Sequence, residues 1–213
     1  MYHKYYTVRS YITICDVSED AVTTTRPGRP RSEKTRLAIL DAAADLLLSS
    51  GFSDTTIEAI AARAGVSKVT IYKWWPSRGA VAIDAYFHRF LQTTVFPDSG
   101  NTVVDITTQV LHLIETFRGR AGEVMAELLG QAQLDPALSE VLRERWLQPR
   151  RALSSAVLRR GIDRGEIRGD VTVAVVLDEI YGPVYFRLMT RLHPLSDEFA
   201  TELVQNVLRG VAS

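Results

Sequence analysis

Two helix signals lie only a few residues apart between Thr55 and Pro76, and no other feature constrains the fold of this chain as tightly. The first opens on Thr55-Thr56-Ile57-Glu58, a capping box in which Thr55 can accept from the backbone of Glu58 while Glu58 reaches back. It continues through Ile57, Ile60 and Ala61 and stops at Gly65. Two residues later Ser67 caps a further helix, Lys68 to Trp75, which Pro76 ends. The link Ala64-Gly65-Val66-Ser67 is that of a helix-turn-helix. Gly65 supplies the backbone freedom of a tight turn, Val66 plugs the angle between the helices, and the small Ala61 lets them approach closely.

Around this pair the pattern is helical almost throughout. Leu40, Ala43, Ala44 and Leu47 repeat at helix spacing, with Leu37 extending the stripe, Ser32 at the start and Gly51 past the end. Ser77 caps a fourth helix carrying Val81, Ile83, Ala85 and Phe87. The segment Gln92 to Asn101, which holds Pro97, Asp98, Ser99 and Gly100, marks a break. Beyond it helices are expected at about 102–117, 123–133, 136–164, 171–192 and 196–208, with Pro149 kinking or splitting the third. The expected fold is therefore all-α, with about nine helices. Residues 1–25 read as a disordered extension, because a short strand there has nothing evident to pair with. Residues 26–77 are expected to form a three-helix domain around the helix-turn-helix, a DNA-binding architecture, and 78–213 a second helical domain.

If the helix after Ser67 enters a major groove, Lys68, Val69 and Thr70 face base edges, while Tyr72 and Lys73 flank them toward phosphates. Arg26-Pro-Gly-Arg-Pro-Arg31 precedes the first helix. Its prolines keep it extended, and Arg26, Arg29 and Arg31 suit either a narrow minor groove or a solvated basic linker.

The run TTIEAIAARAGVSKVTIYKWWPSRGAV resembles the DNA-binding signature of the TetR (tetracycline-repressor-type) family of bacterial transcription regulators. The matching stretch covers Ser32 to about Phe87. The resemblance implies that Lys68 to Lys73 belong to a recognition helix, with Ser67 at its start and Tyr72 on a phosphate. Arg78 would neutralise another phosphate, and Thr55 would bond the DNA backbone. Trp74 stands where that family often has His or Tyr, and Gly79 where a Glu commonly begins the fourth helix. Trp75 is expected in the core.

A single head reading about four base pairs at ~1–3 kcal/mol each is marginal against ~10⁶ competing sites, so two linked heads are expected. Val173, Leu177, Ile180 and Val184 on the penultimate helix, and Phe199, Leu203 and Val207 on the last, form apolar stripes. These suit either a homodimer interface, as the resemblance implies, or an intrachain core. Gly182-Pro183 should bend the penultimate helix, to shape a pocket or to fit a bundle. The family's middle helices usually enclose an effector. Leu113, Phe117, Met125, Leu128, Leu129, Trp146, Tyr181 and Tyr185 are the candidate lining, with His112, Gln131 and Arg150 as polar candidates. An apolar small molecule is the expected ligand.

The sequence displays no phosphate-cradling loop, nucleophile elbow or metal-ligand spacing. His3, His88, His112 and His193 are scattered, so no enzyme, cofactor or metal is expected. A helical protein-interaction module is the alternative. The single Cys15 forms no disulfide framework, and no stretch approaches the ~20 apolar residues of a membrane span. A cytoplasmic protein bound to a palindromic operator, most simply a repressor, is the expectation. The zero net charge of the 213 residues is a cancellation: residues 26–90 carry +4, while 1–25 and 91–213 carry −1 and −3. All four lysines precede residue 74.

Overall fold

The computed structural model describes residues 6–7, 32–90 and 95–213. The chain divides into two compact units, one of residues 8–92 and one of residues 1–7 with 93–213.

The first unit holds four helices: α1 (Glu33–Asp54), α2 (Ile57–Ala64), α3 (Lys68–Tyr72) and α4 (Arg78–Phe90). Helix α1 buries Ile39, Leu40, Ala43, Ala44 and Leu47, and it packs chiefly against α4. Leu37, expected in that stripe, stays exposed at its edge, and Ile39 takes the inward position. Ser32 stands at the start of α1, but its hydroxyl makes no cap bond; its carbonyl accepts from Thr35 and Arg36 instead. Gly51 (φ 79°, ψ 179°) breaks the regular path of α1 and turns Phe52 into the core.

Helix α4 belongs to this unit, so the division falls about fifteen residues later than the sequence suggests. The reason is its composition. Ala80, Val81, Ala82, Ile83, Ala85 and Tyr86 are all buried, and the alanines let α1 approach closely. Ser77 caps it by accepting from the N–H of Ala80. Trp75, as expected, is core, and its indole N–H donates to Asp84 on α4 at 2.7 Å.

The second unit is built around α5 (Thr102–Phe117), which packs on α6 (Arg120–Ala132), α8 (Gln148–Asp163), α9 (Val173–Thr190) and α10 (Asp197–Gly210). Asn101 caps α5, accepting from Val104 at 3.0 Å. Between α5 and α6 the backbones nearly touch: a Cβ built on Gly122 would lie 1.9 Å from the Phe117 carbonyl oxygen. Helix α7 (Pro136–Leu142) runs without a break through a π turn, Arg143–Leu147, into α8. The π turn answers Pro149. In it the N–H of Gln148 reaches back five residues to Arg143, and the widened ring removes the clash of the prolyl ring with a carbonyl one turn earlier.

Gly182-Pro183 behaves otherwise. Helix α9 continues through both residues, so no interruption occurs there; Arg191, at φ 53°, ends it.

Among the described residues of the N-terminal extension, β1 (Tyr6–Thr7) pairs antiparallel with β2 (Val95–Phe96), Tyr6 opposite Phe96. A strand in the extension thus has a partner after all, in the segment that reads as a break. The rest of 1–25, with His3 and Cys15, and the arm with Arg26, Arg29 and Arg31 lie outside the described residues. Counting α7, the π turn and α8 as one body, the described residues form nine helices.

Candidate nucleic-acid interface and cleft

Helices α2 and α3 meet at Gly65, whose left-handed conformation (φ 66°, ψ 36°) closes α2. The Gly65 N–H bonds to Ala62, and the following N–H of Val66 bonds to Ala61 at 3.0 Å. These two bonds satisfy carbonyls that the end of a helix leaves open. Ser67 then starts α3, its hydroxyl accepting from the N–H of Thr70 at 3.2 Å. The Ser67 and Thr70 hydroxyls are themselves 2.9 Å apart.

Helix α3 buries Ile71 and turns the rest outward: Val69 is 67% exposed, Tyr72 54%, and Lys68 and Lys73 are exposed. Lys68 is held by Glu58 of α2 at 2.9 Å. That contact lowers the Glu58 carboxyl from its ordinary value and raises the Lys68 ammonium.

One expected contact is corrected. Thr55 is fully buried, and its hydroxyl donates to the Gly51 carbonyl at 2.6 Å, so it cannot reach a phosphate. The capping residue of α2 is Thr56, accepting from Ala59; the capping box is out of register by one, and Glu58 pairs with Lys68 as well as with its own backbone N–H. Arg78 is half-buried, with its Nη1 turned inward. It donates to the carbonyls of Phe52 and Ser53 and lies 4.1 Å above the Phe52 ring, tying the end of α1 to the start of α4.

In the second unit a cleft of about 50 Å³ opens between α5, the π turn, α8 and α9. Leu113, Tyr181 and Tyr185 line it, as expected, together with Leu147, Arg150, Arg151 and Ser154. Phe117 and Trp146 stand behind Tyr185: Phe117 meets its ring edge-on at 5.7 Å, and the Trp146 indole donates to its hydroxyl at 3.1 Å. Met125 and Leu128 are core, and neither these nor Leu129, His112 and Gln131 line the cleft.

The residues that sequence reasoning missed are Ser154 and Gln109. Buried Gln109 accepts from Ser154 and Tyr181, each at 3.1 Å. The signal was available: a glutamine interrupting the Ile106, Val110, Leu113 stripe of α5. Burial raises the Tyr181 and Tyr185 hydroxyls above their ordinary value, against the pull of Arg150, so both stay protonated and able to donate.

Of the expected dimer residues, Leu177, Ile180 and Val184 are buried within the chain and form intrachain core. Val173, Phe199, Leu203 and Val207 are half-buried. The outward apolar residues of α9 are instead Val175, Phe186 and Met189.

A capped, glycine-hinged helix pair with an exposed second helix, followed by a separate helical unit, defines a helix-turn-helix DNA-binding protein. The comparisons with known proteins narrow the class. Residues 39–85 match the family described as "Bacterial regulatory proteins, tetR family", and residues 96–207 match "Tetracyclin repressor-like, C-terminal domain". An uncharacterized HTH-type transcriptional regulator, YdeS of Bacillus subtilis, is 43% identical over 86% of this chain and 93% of its own length. The DNA-binding transcriptional repressor TetR of Mycobacteroides abscessus is 29% identical over 84% of this chain and 94% of its own. The solved TetR family transcription regulator SCO0332 is 41% identical, with a TM-score of 0.74 over 85% of this chain and all of that one. The chain belongs to the TetR family and is a DNA-binding transcription regulator.

Proposed function

We propose that the protein is a homodimeric repressor that holds a palindromic operator and leaves it when a small molecule occupies the second unit. The observation that carries this reading is the outward face of α3, where Lys68, Val69, Tyr72 and Lys73 stand exposed beside Thr70. The net +4 of residues 26–90 adds the electrostatic attraction that phosphates require. In this reading Val69 and Thr70 meet base edges, and Tyr72 and Lys73 meet phosphates. Lys68 exchanges Glu58 for DNA, and the arm arginines 26, 29 and 31 lie along the minor groove.

The dimer follows from the free-energy need for two heads, and from Val175, Gly182, Phe186 and Met189 at spacings of seven, four and three along α9. Half-buried Phe199, Leu203 and Val207 on α10 widen that face. Effective binding requires the two heads about 34–36 Å apart, and a ligand that favours another separation releases the DNA. The protein acts in the cytoplasm and carries out no catalysis; among the described residues no helix is long and apolar enough to cross a membrane.

The test is a gel-shift series on the DNA upstream of the protein's own coding region. Saturable, salt-sensitive binding that is lost when one half of the palindrome is scrambled supports the reading, and its absence overturns it. Lys73→Ala should weaken binding to every sequence alike, whereas Thr70→Ala should change base preference. Uniform weakening by both would refute the assignment of bases to Thr70 and phosphates to Lys73.

A further inference from the structure

We propose that Val69 reads the C5-methyl group of one pyrimidine in each half-site, a thymine in unmodified DNA, and so sets base preference at that position. The inference deepens the DNA-binding reading of α3 and rests on it.

The side chains of α3 sort by what they can still offer to DNA. Ile71 is fully buried, which fixes the inward face of the helix. Val69, Tyr72 and Lys73, at positions i, i+3 and i+4, share a side turned away from it, and all three are exposed. Val69 opens that row and is 67% exposed. Its neighbours in the first turn have polar partners within the protein. Lys68 holds Glu58 at 2.9 Å, and the half-buried Thr70 places its hydroxyl 2.9 Å from that of Ser67.

Valine brings no polar atom to the contact. A base N–H or carbonyl covered by its isopropyl group loses a water and gains no hydrogen bond, which is penalised. Along the major groove the base pairs present donors and acceptors, with one apolar projection, the methyl group on C5 of thymine. Packing that methyl against valine removes apolar surface from water on both partners. The contact is therefore favourable for one base and opposed where a polar edge takes its place.

The side chain is also set in advance. A β-branched residue in a helix keeps essentially one χ1 rotamer, so the contact immobilises little that was free. The bond from the Thr70 N–H to the Ser67 hydroxyl at 3.2 Å fixes the turn that carries Val69. Val69 is the shortest of its row, so it acts at close approach, on the floor of the groove, while Tyr72 and Lys73 reach toward phosphates.

The experiment uses the full chain and a fluorescein-labelled duplex taken from the upstream region bound in the gel-shift series. Each thymine of a half-site is replaced in turn by uracil, which removes the methyl group and leaves the hydrogen-bonding edge unchanged. At one position uracil is expected to weaken binding about fourfold, as burial of one methyl group implies, and about sixteenfold when placed in both half-sites. Val69→Ser should bind the thymine duplex more weakly and distinguish thymine from uracil there by less than about twofold. Cytosine at that position should bind the parent protein more weakly than 5-methylcytosine does, and Val69→Ser should treat the two alike. The salt dependence of binding should be the same in Val69→Ser as in the parent, since no phosphate contact is removed. Circular dichroism and the melting temperature verify the fold of the variant.

The absence of any thymine at which uracil weakens binding overturns the proposal. So does a uracil effect of equal size in Val69→Ser, which would assign the methyl to another residue or to the shape of the duplex. A shallower salt dependence in Val69→Ser also overturns it, because the residue would then act by placing phosphate contacts. Each of these failures leaves salt-sensitive, palindrome-dependent binding intact, and with it the role of regulator. Binding to no upstream duplex overturns both.

Discussion

Neighbouring threonines divide the labour at the entry to the reading pair. Thr56 caps α2 from a half-buried position, while Thr55 turns inward to the carbonyl of Gly51. Either residue satisfies the same capping pattern on paper. The choice between them is made by the positive φ of Gly51, which leaves a carbonyl pointing into the core that only a buried hydroxyl can reach. Thr55→Val should therefore lower stability by about 1–3 kcal/mol through that unpaired carbonyl, while DNA affinity per folded molecule stays unchanged. Denaturant melts beside a DNA titration check both halves. Glu166 offers a second case. It accepts from Arg164 at 2.5 Å and from the N–H of Thr102 at 2.7 Å, and its carboxyl is lowered to about 2. A depressed carboxyl stabilises the fold above its unfolded value, near 4.3, and that contribution fades as pH falls toward 2. Glu166→Gln should melt lower than the parent at pH 6, and the difference should shrink steadily between pH 5 and pH 2.

Whole helices were easier to read than the residues that join them. The five expected segments beyond the break correspond to helical bodies with ends displaced by only a few residues, because each carries an apolar stripe, and three of them start at a capping side chain, Asn101, Asp135 or Ser196. Prolines were harder. Pro149 and Pro183 both sit inside helical patterns, yet one is met by a π turn and the other by an unbroken helix. Local propensity does not distinguish them, since each proline sits within an otherwise helical pattern. The corner between α5 and α6 depends on an absent side chain. Gly122→Ala would drive a methyl into the Phe117 carbonyl, and since backbone is the obstacle the corner must open. A loss of about 2–3 kcal/mol is expected, at the upper end of what overpacking costs, and thermal unfolding measures it.

At the scale of the molecule, charge was legible and partnership was not. The basic residues of 26–90 offset the acidic surplus elsewhere, so a neutral total conceals a unit suited to polyanions. The stripes on α9 and α10 were visible as stripes, but sequence alone does not say which side of a helix faces inward. Leu177, Ile180 and Val184 went to the core, and Val175 and Phe186, each more than half exposed, were left outside. If a second copy covers that face, Phe186→Glu should convert the dimer to a monomer in sedimentation equilibrium and abolish operator binding, while the helical circular dichroism of each chain is retained.

The π turn gives this helix one residue more than its length along the axis requires. Within Arg143–Leu147 a single-residue deletion can be absorbed by reverting to ordinary winding, whereas elsewhere in α7 or α8 it would rotate everything downstream by about 100°. Among descendants of an ancestral gene, a one-codon gap at this point is therefore a survivable event. Its penalty is chemical, because it would reseat Trp146 and Leu147 relative to Arg150.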